Sequence, residues 1–274
     1  MGMVHRVLLI CLLTFCFAIL FNHQTRAQSC GNTAEGFPAW LEDFKREARA
    51  NGISQRTIER SLTDVRYARK TIRADRGQKS FRLSLDQFMK KRGADTIVKR
   101  GRKLKDENAS LLSRIERRYG VPPGILMAIW GMETGFGRFS GNQPVIPAVA
   151  TLAYDCRRSD FFKRELYAAL ELVERRILTP EQMRGAGHGE IGQTQFLPSS
   201  YLKYAVDGDG DGKKNLIASR PDALASTANF LLAHGWRRGA GYQPGEPNFA
   251  AIKGWNAASV YQQAIAIIAA RIDS

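Results

Sequence analysis

Metal-ligating side chains are few in this chain of 274 residues, which holds four histidines and four cysteines. Cys11 and Cys16 fall in the first 27 residues, so Cys30 and Cys156 are what the rest of the chain has. Neither has a Cys or His at ligand spacing, which speaks against zinc. Long apolar runs are scarce too. Val7 to Phe21 is one, shorter than the ~20 residues a membrane-spanning helix requires, and no later stretch is long and apolar enough to span. Alternating strand patterns are rare, which argues against an all-β fold. Internal repeats, low-complexity segments and a clean linker are absent, so neither a repeat array nor two tethered domains is expected. Acidic side chains run short: 26 Asp and Glu face 41 Lys and Arg.

The first residues read as an export signal. His5 and Arg6 form a basic start, Val7 to Phe21 an apolar centre, and Thr25-Arg26-Ala27 offers small residues for a signal peptidase. Residues 1–27 are expected to be removed and the mature chain to reach the periplasm. A lipoprotein is the competing reading, since Cys30 follows; Ala27-Gln28-Ser29 lacks the large aliphatic residue such a site carries. Removal takes two arginines and no acid, so the net charge falls from +15 to +13. A basic exported protein seeks an anionic partner: nucleic acid, anionic lipid or a carboxylate-rich wall polymer. The basic stretch from Arg66 to Arg118 also reads as a solvated helix face. In an oxidising compartment Cys30 and Cys156 make an even pair, read as a disulfide, with two buried free thiols as the alternative.

Nearly every segment reads as helix. Trp40, Leu41, Phe44 and Ala48 mark one that ends near Asn51-Gly52, and Ser54 caps the next. A long basic helix is expected from about Thr96 to Tyr119. Ser159 reads as a cap, and Thr179-Pro180-Glu181-Gln182 as a capping box with proline at the first helical position. Arg220 to Ala233 and Ala257 to Ile272 read as the closing helices. Glycine and proline cluster at Gly135 to Pro147, Gly185 to Gly192 and Gly239 to Gly254, as loops that should ring a cleft.

Pro122 to Glu133 is an almost wholly apolar helix whose only ionisable side chain, Glu133, comes at its end. Ile125, Ile129 and Glu133 recur every four residues, so the acid shares the core-facing stripe. Gly135 suits the left-handed residue that stops a helix. A carboxyl at a helix C-terminus in apolar surroundings has its pKa raised twice over, by the macrodipole and by burial. That is what a general acid in glycoside cleavage needs. The competing reading is a surface Glu on a fraying end. Further on, Gly189-Glu190-Ile191-Gly192-Gln193-Thr194-Gln195 opens a loop whose amides suit sugar hydroxyls and acetamido groups, or tie up the loop's own backbone.

Gly131-Met132-Glu133-Thr134-Gly135-Phe136-Gly137, then Gly192-Gln193-Thr194-Gln195-Phe196-Leu197-Pro198-Ser199-Ser200-Tyr201, then Ala233-His234-Gly235-Trp236 together resemble the membrane-bound lytic transglycosylase B family, over about Phe37 to Arg271. The resemblance implies a mainly α protein with a lysozyme-like core, expected over 107–236. An additional lobe would combine the N-terminal helices of 28–106 with the closing segment 237–274. It implies Glu133 as the single catalytic acid/base, with Gln193, Gln195, Trp255 and Asn256 contacting sugar; Asn256 also reads as the cap of the last helix. Phe230 stands where relatives are expected to carry tyrosine, and Glu190 adds a carboxyl beside the cleft.

Asp207-Gly208-Asp209-Gly210-Asp211-Gly212 matches the start of a calcium loop, but Ala218 holds the twelfth position where a bidentate Glu belongs. The resemblance supplies a later aspartate, Asp222, with Lys213 giving its backbone carbonyl; Asp222 also fits a capping box with Ser219. A structural Ca2+ and no organic cofactor are therefore expected. The implied activity is non-hydrolytic cleavage of the MurNAc-GlcNAc bond of peptidoglycan strands by a monomer, yielding a 1,6-anhydro product. Rival readings are a hydrolytic muramidase using Asp155, Asp160 or Glu190 as second carboxylate, a non-catalytic wall-binding protein, and a nucleic-acid binder, against which the export signal argues.

Overall fold

The computed structural model describes residues 30–77 and 83–274. The expected export segment, with Cys11 and Cys16, lies outside the described residues. Thirteen helices account for the described fold, and the sheet among these residues is a single antiparallel pair, Gln143–Pro144 with Arg184–Gly185. The chain is mainly α, as its periodicity predicts. No helix among the described residues is long and apolar enough to cross a membrane.

The first helix, α1 (Phe37–Ala50), buries Phe37, Trp40, Leu41, Phe44 and Ala48 and stops at Asn51. Its aromatic stripe packs on Tyr154, with Phe37 and Trp40 each 5.6 Å from that ring. Tyr154 closes α8 (Val145–Tyr154), a helix with nine buried residues. Ser54 caps α2 (Gln55–Leu62) through the backbone N–H of Thr57. α2 lies on α9 (Ser159–Glu174), and α3 (Arg69–Arg76) lies on α8. Beyond it, α4 (Leu85–Arg92) opens with a full capping box between Ser84 and Gln87 and closes at Gly93.

α5 (Ala94–Glu107) and α6 (Ala109–Tyr119) replace the single basic helix expected there. Asn108 makes the break. Its side-chain amide donates to the carbonyl of Leu104 at 2.6 Å, and its own oxygen accepts from Arg220 at 2.7 Å. An asparagine that bonds locally offers the backbone an alternative to helix. Two other expectations shift for similar reasons. Ser159 donates its hydroxyl to the carbonyl of Ala153 instead of capping α9. Thr179 and Gln182 do form the reciprocal bonds of a capping box, at 2.8 and 3.3 Å. No helix follows them, because the chain enters the strand pair at Arg184.

The centre of the molecule is α7 (Pro123–Thr134), in which every residue from Gly124 to Met132 is buried. It packs most extensively on α13 (Ser259–Asp273), then on α5. Small residues permit the approach. A Cβ on Gly131 would stand 2.6 Å from Ile97 of α5 and 2.8 Å from the ring of Phe136, closer than packed atoms come. α13 also contacts α4 and α5. α10 (Pro198–Tyr204) starts on Glu165 of α9, a buried carboxylate that accepts from Ser199 N–H at 2.9 Å. α11 (Arg220–Ala233) falls where the sequence predicts. α12 (Phe249–Trp255) forms within the last glycine-rich stretch. Asn248, fully buried, organises that loop by bonding to Arg237 N, Arg237 O and Ala240 O at 2.7–2.8 Å.

Cys30 and Cys156 form a disulfide across 126 positions, and Gly31 donates to the carbonyl of Tyr154 beside it at 2.8 Å. Asp155, also beside it, is buried and paired with Arg76 at 2.8 Å. Closing so long a loop removes much unfolded-state entropy, so replacing both cysteines by serine is expected to cost about 2–5 kcal/mol. Denaturant unfolding of the double variant measures the loss. Non-reducing peptide mapping of the wild type should recover the two cysteines in one species; free thiols would remove the staple.

Candidate active site

Glu133 occupies the penultimate position of α7, and Gly135, with φ of 58°, turns the chain out of the helix. Two backbone bonds close this end: Gly135 N–H to Gly131 O at 3.0 Å and Phe136 N–H to Trp130 O at 3.1 Å. The cap therefore fixes the carboxyl with little freedom to fray, against the competing reading of a loose surface acid. The side chain is half-buried. Tyr261 of α13 donates its hydroxyl to Oε1 at 2.7 Å, and Trp255 Nε1–H donates to the same oxygen at 3.0 Å. Burial pushes the carboxyl above its usual range, while the two donors and the guanidinium of Arg92 pull it back in part. Tyr261 is held well above the ordinary phenol range by its own burial and by Glu133, so it stays a donor. Both donors sit on Oε1, and no donor reaches Oε2 among the described residues.

The carboxyl stands between two hollows. One, of about 630 Å³, is walled by Phe161, His188, Glu190, Gln195, Trp255 and Asn256. The other, of about 580 Å³, lies on the far side of Glu133, between the end of α4, α5 and the loop after α7. Glu133 and Arg92 border both. The three glycine-rich stretches each contribute to these walls, as their clustering predicts.

Thr134, fully enclosed, joins the acid's helix to the amide loop by donating to Gln193 O at 2.6 Å and accepting from Gly137 N–H at 2.8 Å. The loop itself closes through paired bonds between Ile191 and Phe196 at 2.7 and 3.0 Å. Gln195 borders the larger hollow with a left-handed backbone, φ 57°. Its amide N–H groups are spent on Ser140 O at 3.1 Å and Gly192 O at 2.7 Å. What remains for a ligand is the carbonyl oxygen Oε1. Gln193 departs from expectation: it is buried, borders neither hollow, and donates to Ile217 O at 3.3 Å. Its neighbour Gly192, at positive φ, turns that side chain inward while Gln195 points out.

Trp255 and Asn256 both line the larger hollow. The tryptophan packs edge-on against Phe196 and Phe230, with centroids 5.5 and 5.0 Å apart. Asn256 does not cap α13, since Ala258 holds that position; its Oδ1 accepts from Ala258 N–H at 2.9 Å. Phe230 is buried and stacks on His234 at 3.9 Å, so no hydroxyl is offered there. Tyr261 and Arg92 are the site residues that sequence reasoning missed. Tyr261 is the sole hydroxyl-bearing aromatic in an otherwise core-like helix, and that oddity was the available signal.

Of the other carboxylates, Asp155 is buried and tied to Arg76 and to Arg157 N–H, and Asp160 is exposed on α9 away from both hollows. Glu190 alone shares the hollow, its carboxylate bonded to His188 N–H at 3.1 Å.

In the 207–213 loop the carboxylate oxygens of Asp207, Asp209 and Asp211 lie within 4.8 Å of one another. Asp207 accepts from Gly210 and Gly212 N–H at 2.6 and 2.8 Å, and these bonds hold its carboxyl below the usual range. Asp222 sits apart from that trio. It is buried, takes Gly208 N–H and Asn215 N–H on its two oxygens at 2.8 and 2.6 Å, and receives the Ser219 cap. Hard oxygen donors at this spacing fit a calcium ion.

The transglycosylase SLT domain model matches residues 36–245. Membrane-bound lytic murein transglycosylase B of Escherichia coli (strain K12) is 41% identical over 145 residues, and the match takes in 50% of this chain and 40% of that protein. SltB3 from Pseudomonas aeruginosa, solved in complex with NAG-NAM-pentapeptide, superposes with a TM-score of 0.80 at 30% identity over 87% of this chain and 80% of that one. Escherichia coli Slt35, solved in complex with calcium, gives 0.75 at 25% identity over 92% and 97%.

The raised pKa of Glu133 has a consequence for stability. The native state holds this proton more tightly than the unfolded chain, so the contribution is present at low pH and is lost as pH rises above the ordinary carboxyl value. Glu133→Gln mimics the neutral acid and keeps an oxygen for Tyr261 and Trp255. Its melting temperature is expected to equal or exceed that of the wild type at pH 7, with the difference shrinking towards pH 4. Thermal melts across that range check the sign; a variant that is less stable at every pH contradicts it.

Proposed function

The chain belongs to the transglycosylase SLT domain family, and on that premise we propose that it is a lytic murein transglycosylase with Glu133 as its single acid/base. The observation that carries this reading is the carboxyl itself: half-buried, raised in pKa, anchored through one oxygen and open through the other between two hollows. The substrate would be a peptidoglycan strand lying across Glu133. Oε2–H protonates the oxygen linking MurNAc to GlcNAc, and that bond breaks as the sugar's acetamido oxygen supports C1. The GlcNAc side leaves. Glu133, now ionised, takes the proton of the MurNAc C6 hydroxyl, whose oxygen closes on C1 to give the 1,6-anhydro sugar. The proton count returns to its start without water.

Gln195 Oε1, Trp255 and Asn256 would contact sugar from the wall of the larger hollow. Gln193 would act from behind it, by holding the loop in shape. Tyr261 is a positioning residue that keeps the proton on Oε2. Glu190 shares the hollow and keeps hydrolysis as the rival reading, since a second carboxylate could activate water.

The loop of Asp207, Asp209 and Asp211, with the Lys213 carbonyl, would hold a structural Ca2+, with Asp222 bracing it to α11; calcium in the solved relative supports this. The division into a core of 107–236 and a lobe of 28–106 with 237–274 is proposed from the sequence; α13 does pack on α4 and α5, but it packs most extensively on α7, and α1, α2 and α3 lie on α8 and α9. Export to the periplasm accords with a wall substrate.

Glu133→Gln is expected to fold and to lose lysis of purified murein by at least the roughly 10²–10⁴-fold of a general acid–base group, because this one acts in both steps. Lysis by the folded variant at near wild-type rate would overturn the assignment. Mass spectrometry of wild-type products separates the rivals: the anhydro species weighs one water less than the hydrolysed one. Wild-type activity should fall on the alkaline side as Glu133 ionises, at a pH above the ordinary carboxyl value. Calcium should raise the melting temperature by mass action on the native state, and Asp207→Ala or Asp211→Ala should abolish the shift. An identical melting curve with calcium and with chelator leaves the loop a plain turn.

A further inference from the structure

Charge is unevenly placed around Glu133. Lys90, Lys91 and Arg92 border its hollows from the end of α4, Arg100 from α5 and Arg138 from the loop after α7. Each cation favours the ionised form of a nearby carboxyl. Tyr261 of α13 donates to that carboxyl, while α6, α9, α11 and α12 bring no charged side chain to either hollow. Among the described residues that border the hollows, Glu190 is the one acid besides Glu133, and it stands in the larger hollow beside His188. Its place there is built. Glu190 Oε2 accepts from His188 N–H at 3.1 Å, and Oε1 lies 3.6 Å from Nδ1 of the same residue's ring. The other ring nitrogen, Nε2, is enclosed, has no hydrogen-bond partner among the described residues, and stands 4.0 Å from Oδ1 of Asp75. Asp75, on α3, is buried and bonded to Arg157 and Arg158. The imidazole is thus wedged between a buried carboxylate and the one that borders the hollow. The backbone is pinned as well: a Cβ on Gly185 would collide with the carbonyl oxygen of Glu190, and one on Gly189, at φ 98°, with Val149 of α8. A solvated loop glutamate needs none of this.

We propose that Glu190 is a positioning residue for the reaction: fixed by His188, it places a negative charge in the larger hollow that opposes the surrounding cations and sets the alkaline limit of activity. The inference rests on the reading of Glu133 as the acid/base given above. A proton on Glu133 must stay until it reaches the glycosidic oxygen, and the cations around the acid work against that. Burial does most to hold the proton, and the charge of Glu190 adds to it, against the two donors and Arg92. In a partly enclosed hollow a charge is screened less than in bulk water, so one carboxylate acts on another without touching it. The rival reading gives Glu190 a different part, as base for a water. The two parts differ in what they change: the first moves the pH at which activity is lost, and the second changes the product.

The test is the pH dependence of kcat/KM for murein cleavage by the whole protein, with the products weighed at each pH. Glu190→Gln should move the alkaline limb towards lower pH by about half a unit to one unit, the size of one charge acting through a partly wet hollow. Glu190→Asp keeps the charge and should restore most of the limb. His188→Ala should move it the same way by less, and should add nothing to Glu190→Gln, because it acts through that carboxylate. A loss that is merely structural would lower the whole curve and leave its midpoint in place. That result in an active Glu190→Gln variant overturns the proposal and leaves the lytic reading standing. An unmoved limb with loss of a hydrolysed product overturns it too, and makes Glu190 a base for water. Should Glu190→Gln not fold, His188→Ala alone carries the comparison. If the wild type cleaves no murein, the lytic reading falls, and NMR titration of the Glu133 carboxyl in wild type and Glu190→Gln still decides the pair: a shift to lower pH keeps it, and an unmoved titration removes it.

Discussion

The close packing of α7 on α13 is the constraint on which the site depends. A buried carboxyl is costly unless something bonds to it, and α13 supplies a hydroxyl through Tyr261. That approach requires small side chains. Gly124 faces the backbone of Ala269 and Gly131 faces α5, each so near that a Cβ would collide. Overpacking of this kind usually costs about 1–3 kcal/mol, but here the loss would also be geometric, because α13 and α12 carry both donors to Glu133. Core packing and acid positioning are thus one arrangement.

The same economy extends outward. Thr134, one residue past the acid, ties α7 to the amide loop, and the loop is pinned behind by Gln193. Glu165 seats the helix that follows. The amide loop that walls the larger hollow is therefore tied to α7, and α10 to α9, through a small number of enclosed polar contacts. Enclosed contacts of this kind are stiff, since breaking any of them leaves a buried polar group unsatisfied.

Much of this was legible in the sequence because local rules carried it. The apolar stripe of Ile125 and Ile129, the left-handed glycine after the helix and the acid between them locate Glu133 with no tertiary information. Ser54 and the span of α11 were readable for the same reason. What escaped depends on which way a residue faces. Gln193 and Gln195 are alike in composition and two positions apart, yet one is buried and the other borders the cleft, because Gly192 and Gln195 both adopt positive φ. Asn108 breaks a helix that its neighbours favour, by bonding to Leu104 and Arg220, and the second partner is distant in sequence. Tyr261 looked like core because it is core, with only its hydroxyl reaching the acid.

The backbone of Gln195 carries a further consequence. A left-handed conformation at a residue other than glycine costs on the order of 1–3 kcal/mol, and glycine at the same position would not bear that cost. The loop thus holds an amide at a strained position, where its bonds to Ser140 O and Gly192 O offset part of the cost. On the proposed function, the carbonyl that Gln195 presents to the larger hollow is what the strain is set against: a side chain held for contact with sugar at the expense of melting temperature. Among the wall residues, this is where sturdiness and chemistry pull in opposite directions.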